Sequence, residues 1–188
     1  MKRGFFLLIL LAISVTSYSQ HFAIKNNLIY DATLTPNLGF EFGLGKKVTL
    51  DISGGYNPFT FSDNKKFKHW LVQPELRLWT CEKFDGLFFG IHGHAGEYDI
   101  ANIDVPFGLF DKLEDRRFKG HLYGGGLTIG YQWVLGKHWN LEASIGGGYA
   151  RIHYNKYGPE KGAPKIEKDD YNYFGVTKAA ISFIYIIR

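Results

Sequence analysis

Apolar and polar residues alternate along most of this sequence. In the stretch NLGFEFGLG, residues 37–45, one side of an extended chain carries leucine and phenylalanine, and the other carries glycine, Asn37 and Glu41. Glycine on a solvent-exposed strand face costs backbone entropy and packs against nothing. The pattern therefore favours a sheet that is inside out, with its apolar side facing lipid and its small and polar side facing a narrow interior.

The same period of two recurs, and it is typical of strands with two unlike faces. The regular segments are residues 37–45, 48–53, 70–78, 87–96, 126–133, 139–149 and 178–187, and a less regular first strand lies around Ile24 to Tyr30. Short links (GKK, TCEKFDG, VLGKH) alternate strictly with long, charged ones. Outer-membrane barrels combine an even number of strands with short periplasmic turns and long outer loops. The sequence therefore predicts an all-β fold, an eight-stranded antiparallel up-and-down transmembrane β-barrel in the cell outer membrane, with N- and C-termini in the periplasm.

Aromatic residues stand where the two edges of a bilayer would be. Trp133 and Trp139 flank one short link, Trp79 precedes another, and Trp70 lies near a long one. Tryptophan is enriched at both membrane–water interfaces. We therefore expect all four tryptophans in outward-facing aromatic girdles.

The first 19 residues have the layout of a secretory signal peptide. A basic start, MKR, precedes an apolar run over residues 5–15, and Ser17 and Ser19 stand where a signal peptidase cuts. The run is shorter than the roughly 20 residues that a spanning helix needs. We expect cleavage before Gln20, which leaves residues 20–188 as one barrel domain.

Composition narrows the function classes. Cys81 is the only cysteine, so no intramolecular disulfide forms. Aromatic residues make up 17% of the chain and 23 residues are glycine, a mix that favours a sheet closed through many turns. The net charge of +4 does not by itself indicate nucleic acid as a partner. We expect a monomer in contact with outer-membrane lipid, without a cofactor.

Charged residues fall on the face predicted to point inward. An eight-stranded barrel is filled by its own side chains, and Arg or Lys on the lipid face at mid-depth costs roughly 2 to 4 kcal/mol. Both signs occur, so we expect a paired network that plugs the interior and fixes strand register. The alternative is a gate, switched when Glu75 and Arg77 exchange salt-bridge partners. The expected network comprises Glu41, Asp51, Glu75, Arg77, His92, His94, Glu142 and Lys178.

His92 and His94, in IHGHAG, share one strand face. Hydrogen bonds to Glu75, Glu41 or Glu142 in the interior are the simpler interpretation. Two imidazoles also suit a metal ion, but no third ligand follows from the spacing. We therefore expect no metal site.

Basic residues also cluster in the long connections. Those considered for binding are Lys65, Lys66, Lys68, Arg116 and Arg117. Facing outward, they would contact phosphates of lipopolysaccharide, a glycan or a protein through charge-assisted hydrogen bonds. Acidic residues in the same connections nearly cancel their charge, so a solvated surface is the alternative. Binding residues sit preferentially on loops held by a rigid scaffold, so a specific function is expected first in these loops.

Two further functions fit parts of the pattern. Some small outer-membrane barrels modify lipid A with a histidine, a serine and an acid near the outer rim. Here no His-x-Ser pair on one strand face joins Ser53 or Ser62 to His69, His121 or His153, so we expect no enzyme. A secreted soluble barrel around a small apolar ligand would leave strand glycines on its surface and does not explain the alternating links. The sequence favours a structural or surface-interaction protein.

Four segments carry a family resemblance: IKNNLIYDATLTPNLGFE, HWLVQPELRLW, WNLEASIGGGY and YFGVTKAAISFIYI. They resemble a family of uncharacterised small outer-membrane barrels of Bacteroidetes-type bacteria, whose members often accompany fimbrial genes. The likeness covers nearly all of residues 20–188. It implies the barrel fold, no known reaction, and a fimbrial or surface protein as a further candidate partner. The residues that match the family pattern are Asn27, Glu41, Pro74, Glu75, Arg77 and Glu142.

Three positions depart from the simple pattern. The chain ends in Arg188, whereas outer-membrane barrels usually end in an aromatic residue, and Phe183 and Tyr185 lie a few residues earlier. Pro74 lies in mid-strand without an N–H for the ladder, so we expect a bulge or irregular pairing there. Asn26 falls on the lipid side of the first strand, which leaves open a register shifted by one residue.

Overall fold

The structure, a computed structural model, describes residues 22–59, 66–101, 117–157 and 165–187. Its elements are β1 (Phe22–Asn27), α1 (Leu28–Ala32), β2 (Asn37–Gly43), β3 (Val48–Asn57), β4 (Lys66–Trp79), β5 (Gly86–Ala101), β6 (Arg117–Val134), β7 (Trp139–Tyr157) and β8 (Lys165–Ile187). The links after β2, β4 and β6 lie at one end of the sheet, here called the short-turn end. The other end is called the long-connection end.

Each strand pairs antiparallel with the next along the chain, and β8 pairs with β1, so the sheet closes on itself as a barrel. The predicted all-β class and the eight antiparallel strands are thereby confirmed. Within the described ranges, no helix is both long and apolar enough to cross a membrane.

The first strand is shorter than predicted. β1 ends at Asn27, whose side-chain oxygen accepts a hydrogen bond from the Ile29 N–H at 3.1 Å and caps α1. The Asn26 amide donates to Asp31 Oδ1 at 3.3 Å, so its polar group binds the helical turn. The predicted strand over residues 24–30 is therefore wrong beyond Asn27, while the register stands, with Lys25 facing inward.

The two faces of the barrel are chemically inverted relative to a soluble protein. Most side chains buried among the described residues are polar or charged, whereas large apolar side chains such as Leu76, Ile91 and Leu127 are half or more exposed on the outside. Glycine makes room for the charged interior. A Cβ at Gly90 would lie 2.4 Å from Glu75 Oε1, so only glycine leaves space for that carboxylate.

Apolar residues close the short-turn end from inside. Ala23, Phe84, Ile184 and Ile186 form a buried cluster, and Phe84 reaches it from the β4–β5 turn with a left-handed φ of 66°. Trp79 is 1% exposed and packs on Phe84 and Phe88, with ring centroids 6.1 and 4.9 Å apart. The prediction that Trp79 belongs to an outer girdle is wrong. Trp79 lies two residues after Arg77 and four after Glu75 on the same strand, so its side chain points inward as theirs do.

The other three tryptophans do lie on the outside. Trp133 and Trp139 are 44% and 52% exposed near the short-turn end, where they pack beside Tyr131 and Tyr185. Trp70 is 39% exposed toward the long-connection end.

Two irregularities shape the middle of the wall. Pairing between β4 and β5 is interrupted at Gln73 and Pro74 and resumes in the same register at Glu75, so the predicted irregular pairing at Pro74 is found. A register shift between Gly146 and Gly147 leaves Thr177 of β8 without a partner on β7. This bulge reverses the parity of β8, since Ile181 and Phe183 face outward after it, and Phe174 and Val176 before it.

Candidate functional site

Seven charged side chains from six strands meet inside the barrel, and each is at most 7% exposed. We call them the interior network: Lys25, Glu41, Asp51, Glu75, Arg77, Glu142 and Lys178. The structure thus brings together all six charged residues predicted for this position and adds Lys25. Alternation explains the gathering, because every one of these residues stands on the inward parity of its strand.

Arg77 is the centre of the interior network. Its Nη1 donates to Glu41 Oε2 at 3.0 Å and to Glu142 Oε2 at 2.8 Å. Its Nη2 donates to Asp51 Oδ2 at 2.9 Å, and its Nε to Glu75 Oε1 at 2.9 Å. The guanidinium also lies over the Phe88 ring, 4.4 Å from its centroid. A planar fork that meets four carboxylates is a task for arginine rather than lysine.

Two lysines complete the cationic side. Lys25 Nζ donates to Glu142 Oε2 at 2.6 Å and to Glu41 Oε2 at 3.0 Å. Lys178 Nζ donates to Glu75 Oε2 and lies 3.7 Å from Asp51 Oδ2. Four carboxylates therefore face three cations. Asp51 Oδ2 lies within 4 Å of all three cations, whereas Asp51 Oδ1 is buried without a hydrogen-bond partner among the described residues.

Hydroxyl groups extend the interior network toward both ends. Thr49 Oγ1 donates to Glu41 Oε1 at 2.6 Å and accepts from Trp79 Nε1 at 2.9 Å. Thr128 Oγ1 donates to Glu75 Oε2 at 3.4 Å. The Thr49 bond satisfies Glu41 Oε1, which no cation contacts, and the Thr128 bond adds a second donor to Glu75 Oε2 beside Lys178.

His92 and His94 face the interior, but neither forms a hydrogen bond to a carboxylate of the described residues. His92 lies between two threonines, with Nδ1 2.8 Å from Thr128 Oγ1 and Nε2 2.9 Å from Thr177 Oγ1. The Nδ1 of His94 is buried without a hydrogen-bond partner. The expected direct bonds to glutamate are therefore wrong, because the bulge directs Thr177 onto His92. No group of three or more His, Cys, Asp or Glu side chains in the described ranges is placed to hold a metal ion.

A small cavity of about 30 Å³ lies against the interior network toward the long-connection end. This volume holds about two water molecules. Its walls include Lys25, Asp51 and Gln73. Tyr30 of α1 lines it as well, and its hydroxyl lies 3.5 Å from Gln73 Oε1. Gln73 Nε2 reaches across to donate to the Thr177 carbonyl at 3.1 Å. The cavity therefore lies between the interior network and the Tyr30–Gln73 contact.

The residues considered for loop binding are only partly brought together. Lys68 is exposed, and Arg117 donates to Asp99 through Nε at 2.7 Å and Nη2 at 2.5 Å. Lys66 pairs with Ala101 through the backbone of β4, in the same cross-strand row as Arg117. Lys65 and Arg116 lie outside the described residues.

The candidate residues for an enzyme do not converge. Ser53 faces the interior, where its hydroxyl donates to the Gln73 carbonyl at 3.3 Å, and Ser62 lies outside the described residues. On the outer surface His153 Nδ1 hydrogen-bonds to Asp170 Oδ1, and Arg151 Nη2 donates to Asp170 Oδ2 at 3.1 Å. The bonds from His153 and Arg151 lower the pKa of the Asp170 carboxyl.

These features define a closed, eight-stranded antiparallel β-protein whose interior is packed with paired charges. The chain belongs to a protein family of unknown function, DUF3575, whose family model matches residues 5–187. Comparison with curated proteins gave no match, and comparison with solved structures gave none either.

Proposed function

We propose that this protein is a monomeric outer-membrane β-barrel of a Gram-negative cell, exported with residues 1–19 as its signal peptide. Its interior is plugged by its own side chains, and it acts as a structural or surface-interaction protein rather than as a pore. The N- and C-termini and the short turns face the periplasm. The long connections face outward, where lipopolysaccharide, a glycan or a fimbrial or other surface protein is the candidate partner.

The observation that carries this proposal is the inverted distribution of polarity. A band of exposed aliphatic side chains, with Leu76, Ile91 and Leu127 among them, separates exposed aromatic residues near the short-turn end from others near the long-connection end. Exposure of this apolar band to water is unfavourable, whereas the hydrocarbon of a bilayer is a favourable environment for it. A closed sheet also has no unpaired edge strand, so backbone groups along the band pair between neighbouring strands except at the local irregularities, as hydrocarbon requires.

The interior network argues against the soluble carrier of an apolar ligand. Such a carrier needs an apolar cavity, and here the centre of the barrel is occupied by Arg77 and its four carboxylates. The same residues argue against an open channel, because the space left beside them holds about two waters. Enzymatic modification of lipid A would need a serine beside the His153–Asp170 pair, and no serine among the described residues lies there.

Heat-modifiability tests the proposal. The full chain is expressed in a Gram-negative host, outer membranes are isolated, and unboiled and boiled samples are compared by gel electrophoresis. We expect the protein in the outer membrane, with a band that shifts on boiling, because closed barrels resist detergent until heated. A soluble protein without a shift would contradict the proposal.

Conductance tests the plugged interior. The purified barrel is inserted into planar bilayers, and we expect no channel steps above those of protein-free bilayers. A variant with Arg77, Glu142 and Lys25 each replaced by alanine serves as the comparison, since it removes the centre of the interior network. Regular steps from the wild-type protein would show that the interior conducts.

A further inference from the structure

The outer surface beyond the aromatic residues of the long-connection end carries two lysines that form no ion pair within the described part of the chain. Lys68 on β4 and Lys119 on β6 are exposed and form no ion pair with a described residue. In the cross-strand register Lys68 pairs with Asp99 of β5, and Asp99 pairs with Lys119. The two lysines therefore flank one residue in one row, on strands about 10 Å apart.

Asp99 does not neutralise these lysines. The Asp99 carboxylate accepts two hydrogen bonds from the Arg117 guanidinium, at 2.7 and 2.5 Å. This bidentate ion pair balances the charge of Asp99 with that of Arg117 instead of with a lysine. Glu97, the next outward residue on β5, accepts a hydrogen bond from Trp70 Nε1 at 3.4 Å. The outward face of β4 to β6 therefore presents two ammonium groups that pair with no described carboxylate, beside two carboxylates that are already bonded.

The depth of the two lysines selects the ligand. Lys68 precedes Trp70 by two residues on the same face, and Lys119 precedes Tyr123 by four, which places the Cα atoms of the lysines about 7 and 13 Å farther along their strands than those of the exposed aromatic residues. Such rings mark the headgroup level of a membrane, and lysines just beyond them extend toward lipid phosphates.

We propose that Lys68 and Lys119 together bind the phosphate of an outer-leaflet lipid headgroup. This inference rests on the proposed outer-membrane location. The lysine stems are long and flexible enough to converge over Asp99, and ammonium groups bind phosphate as point charges. Arg117 holds the Asp99 carboxylate away from the ligand and thereby acts as a positioning residue.

Native mass spectrometry of the refolded full chain in detergent micelles tests this site. The probes are bis-phosphorylated lipid A and the same lipid after phosphatase treatment. Lys68→Gln/Lys119→Gln is compared with Lys46→Gln/Lys137→Gln, whose lysines are equally exposed but lie at the short-turn end. At about 1 kcal/mol for each lysine near a membrane surface, we expect the first variant to bind phosphorylated lipid about thirtyfold more weakly. The control variant should bind as the wild type does, and the dephosphorylated lipid should bind to neither.

Equal binding by Lys68→Gln/Lys119→Gln and the wild type would overturn the inference, and so would an equal loss in the control variant. Full displacement of the lipid by excess inorganic phosphate would show a site for the free anion and would also overturn it. The heat shift is recorded for each variant. If every variant shows the heat shift but substitution of the two lysines does not change lipid binding, only this inference fails. If the wild type is soluble and does not shift, the proposed function fails and the site with it.

Discussion

Replacing Arg77 by methionine tests how strongly the interior network holds the barrel together. Arg77→Met keeps most of the side-chain length and the contact with Phe88, but it removes the guanidinium. Glu75 Oε1 then loses the cation 2.9 Å away, and Glu142 Oε2 loses the hydrogen bond of 2.8 Å. Four buried carboxylates are left with two lysines.

The expected magnitude follows from this loss. Removing one partner of a buried ion pair costs about 3 to 5 kcal/mol, because the other charge stays buried without compensation. Contacts that share one residue do not add, so the four carboxylates do not multiply the figure. We expect Arg77→Met to lower the free energy of unfolding by about 4 kcal/mol. That is a large part of the roughly 5 to 15 kcal/mol of a typical domain.

Urea unfolding of the protein refolded into lipid vesicles measures this difference, with tryptophan fluorescence as the signal. Arg151→Met is the matched control, because Arg151 forms its ion pair on the exposed surface and its loss should shift the midpoint far less than the loss of Arg77 does. Adding Glu142→Gln to Arg77→Met lowers the surplus of carboxylates over lysines from two to one and leaves Lys25 to Glu41, which should restore about 1 to 2 kcal/mol. A loss below about 1 kcal/mol for Arg77→Met, or an equal loss in the control, would refute the reasoning.

Three further outcomes are expected. Gly90→Ala places a Cβ 2.4 Å from Glu75 Oε1 and should cost about 1 to 3 kcal/mol in the same urea assay, whereas Gly136→Ala meets no atom within 4 Å and should change little. Phe84→Ala empties the apolar closure of the short-turn end and should cost about 3 kcal/mol, with faster proteolysis of the β4–β5 turn; unchanged proteolysis would count against closure by Phe84. The Asp170 carboxyl, with its pKa lowered by His153 and Arg151, contributes stability that is present above its unfolded pKa and is lost as pH falls through the folded pKa. Carbon-13 NMR titration should show that pKa rising in Arg151→Met, and an unmoved pKa would contradict the role of Arg151.

The alternation of residues was enough to predict the strands and the interior. Charged residues such as Glu41, Asp51 and Glu142 occupy one face of their strands, and apolar residues occupy the opposite face. A register shift of one residue would exchange the two faces. The same rule places Trp79 inside, two residues after Arg77. The expectation of a girdle position followed residue type instead of parity, and parity decided the outcome.

Local deviations from the period could not be read from the sequence. α1 begins where Asn27 caps a helical turn, yet the apolar residues Leu28 and Ile29 are equally compatible with a continued strand. The bulge at Thr177 reverses the parity of β8, and nothing in YFGVTKAAIS marks which residue is extra. The contact between Thr177 and His92 depends on that bulge, so the partners of His92 could not be derived.

Closure of the barrel explains why a charged interior is useful despite its desolvation cost. Within the described residues, β1 pairs with β8 over six positions, from Phe22↔Ile187 to Asn27↔Ser182. A slip by one residue would move Lys25 to the apolar exterior and separate it from Glu41 on one side of the seam and Glu142 on the other. Glu41 and Glu142 would then each lose one of two cations and keep Arg77 alone, and the loss of a partner from a buried ion pair is strongly destabilising. A strand too short to fix its own register is therefore held by one inward charge, and Lys25 specifies where the sheet closes.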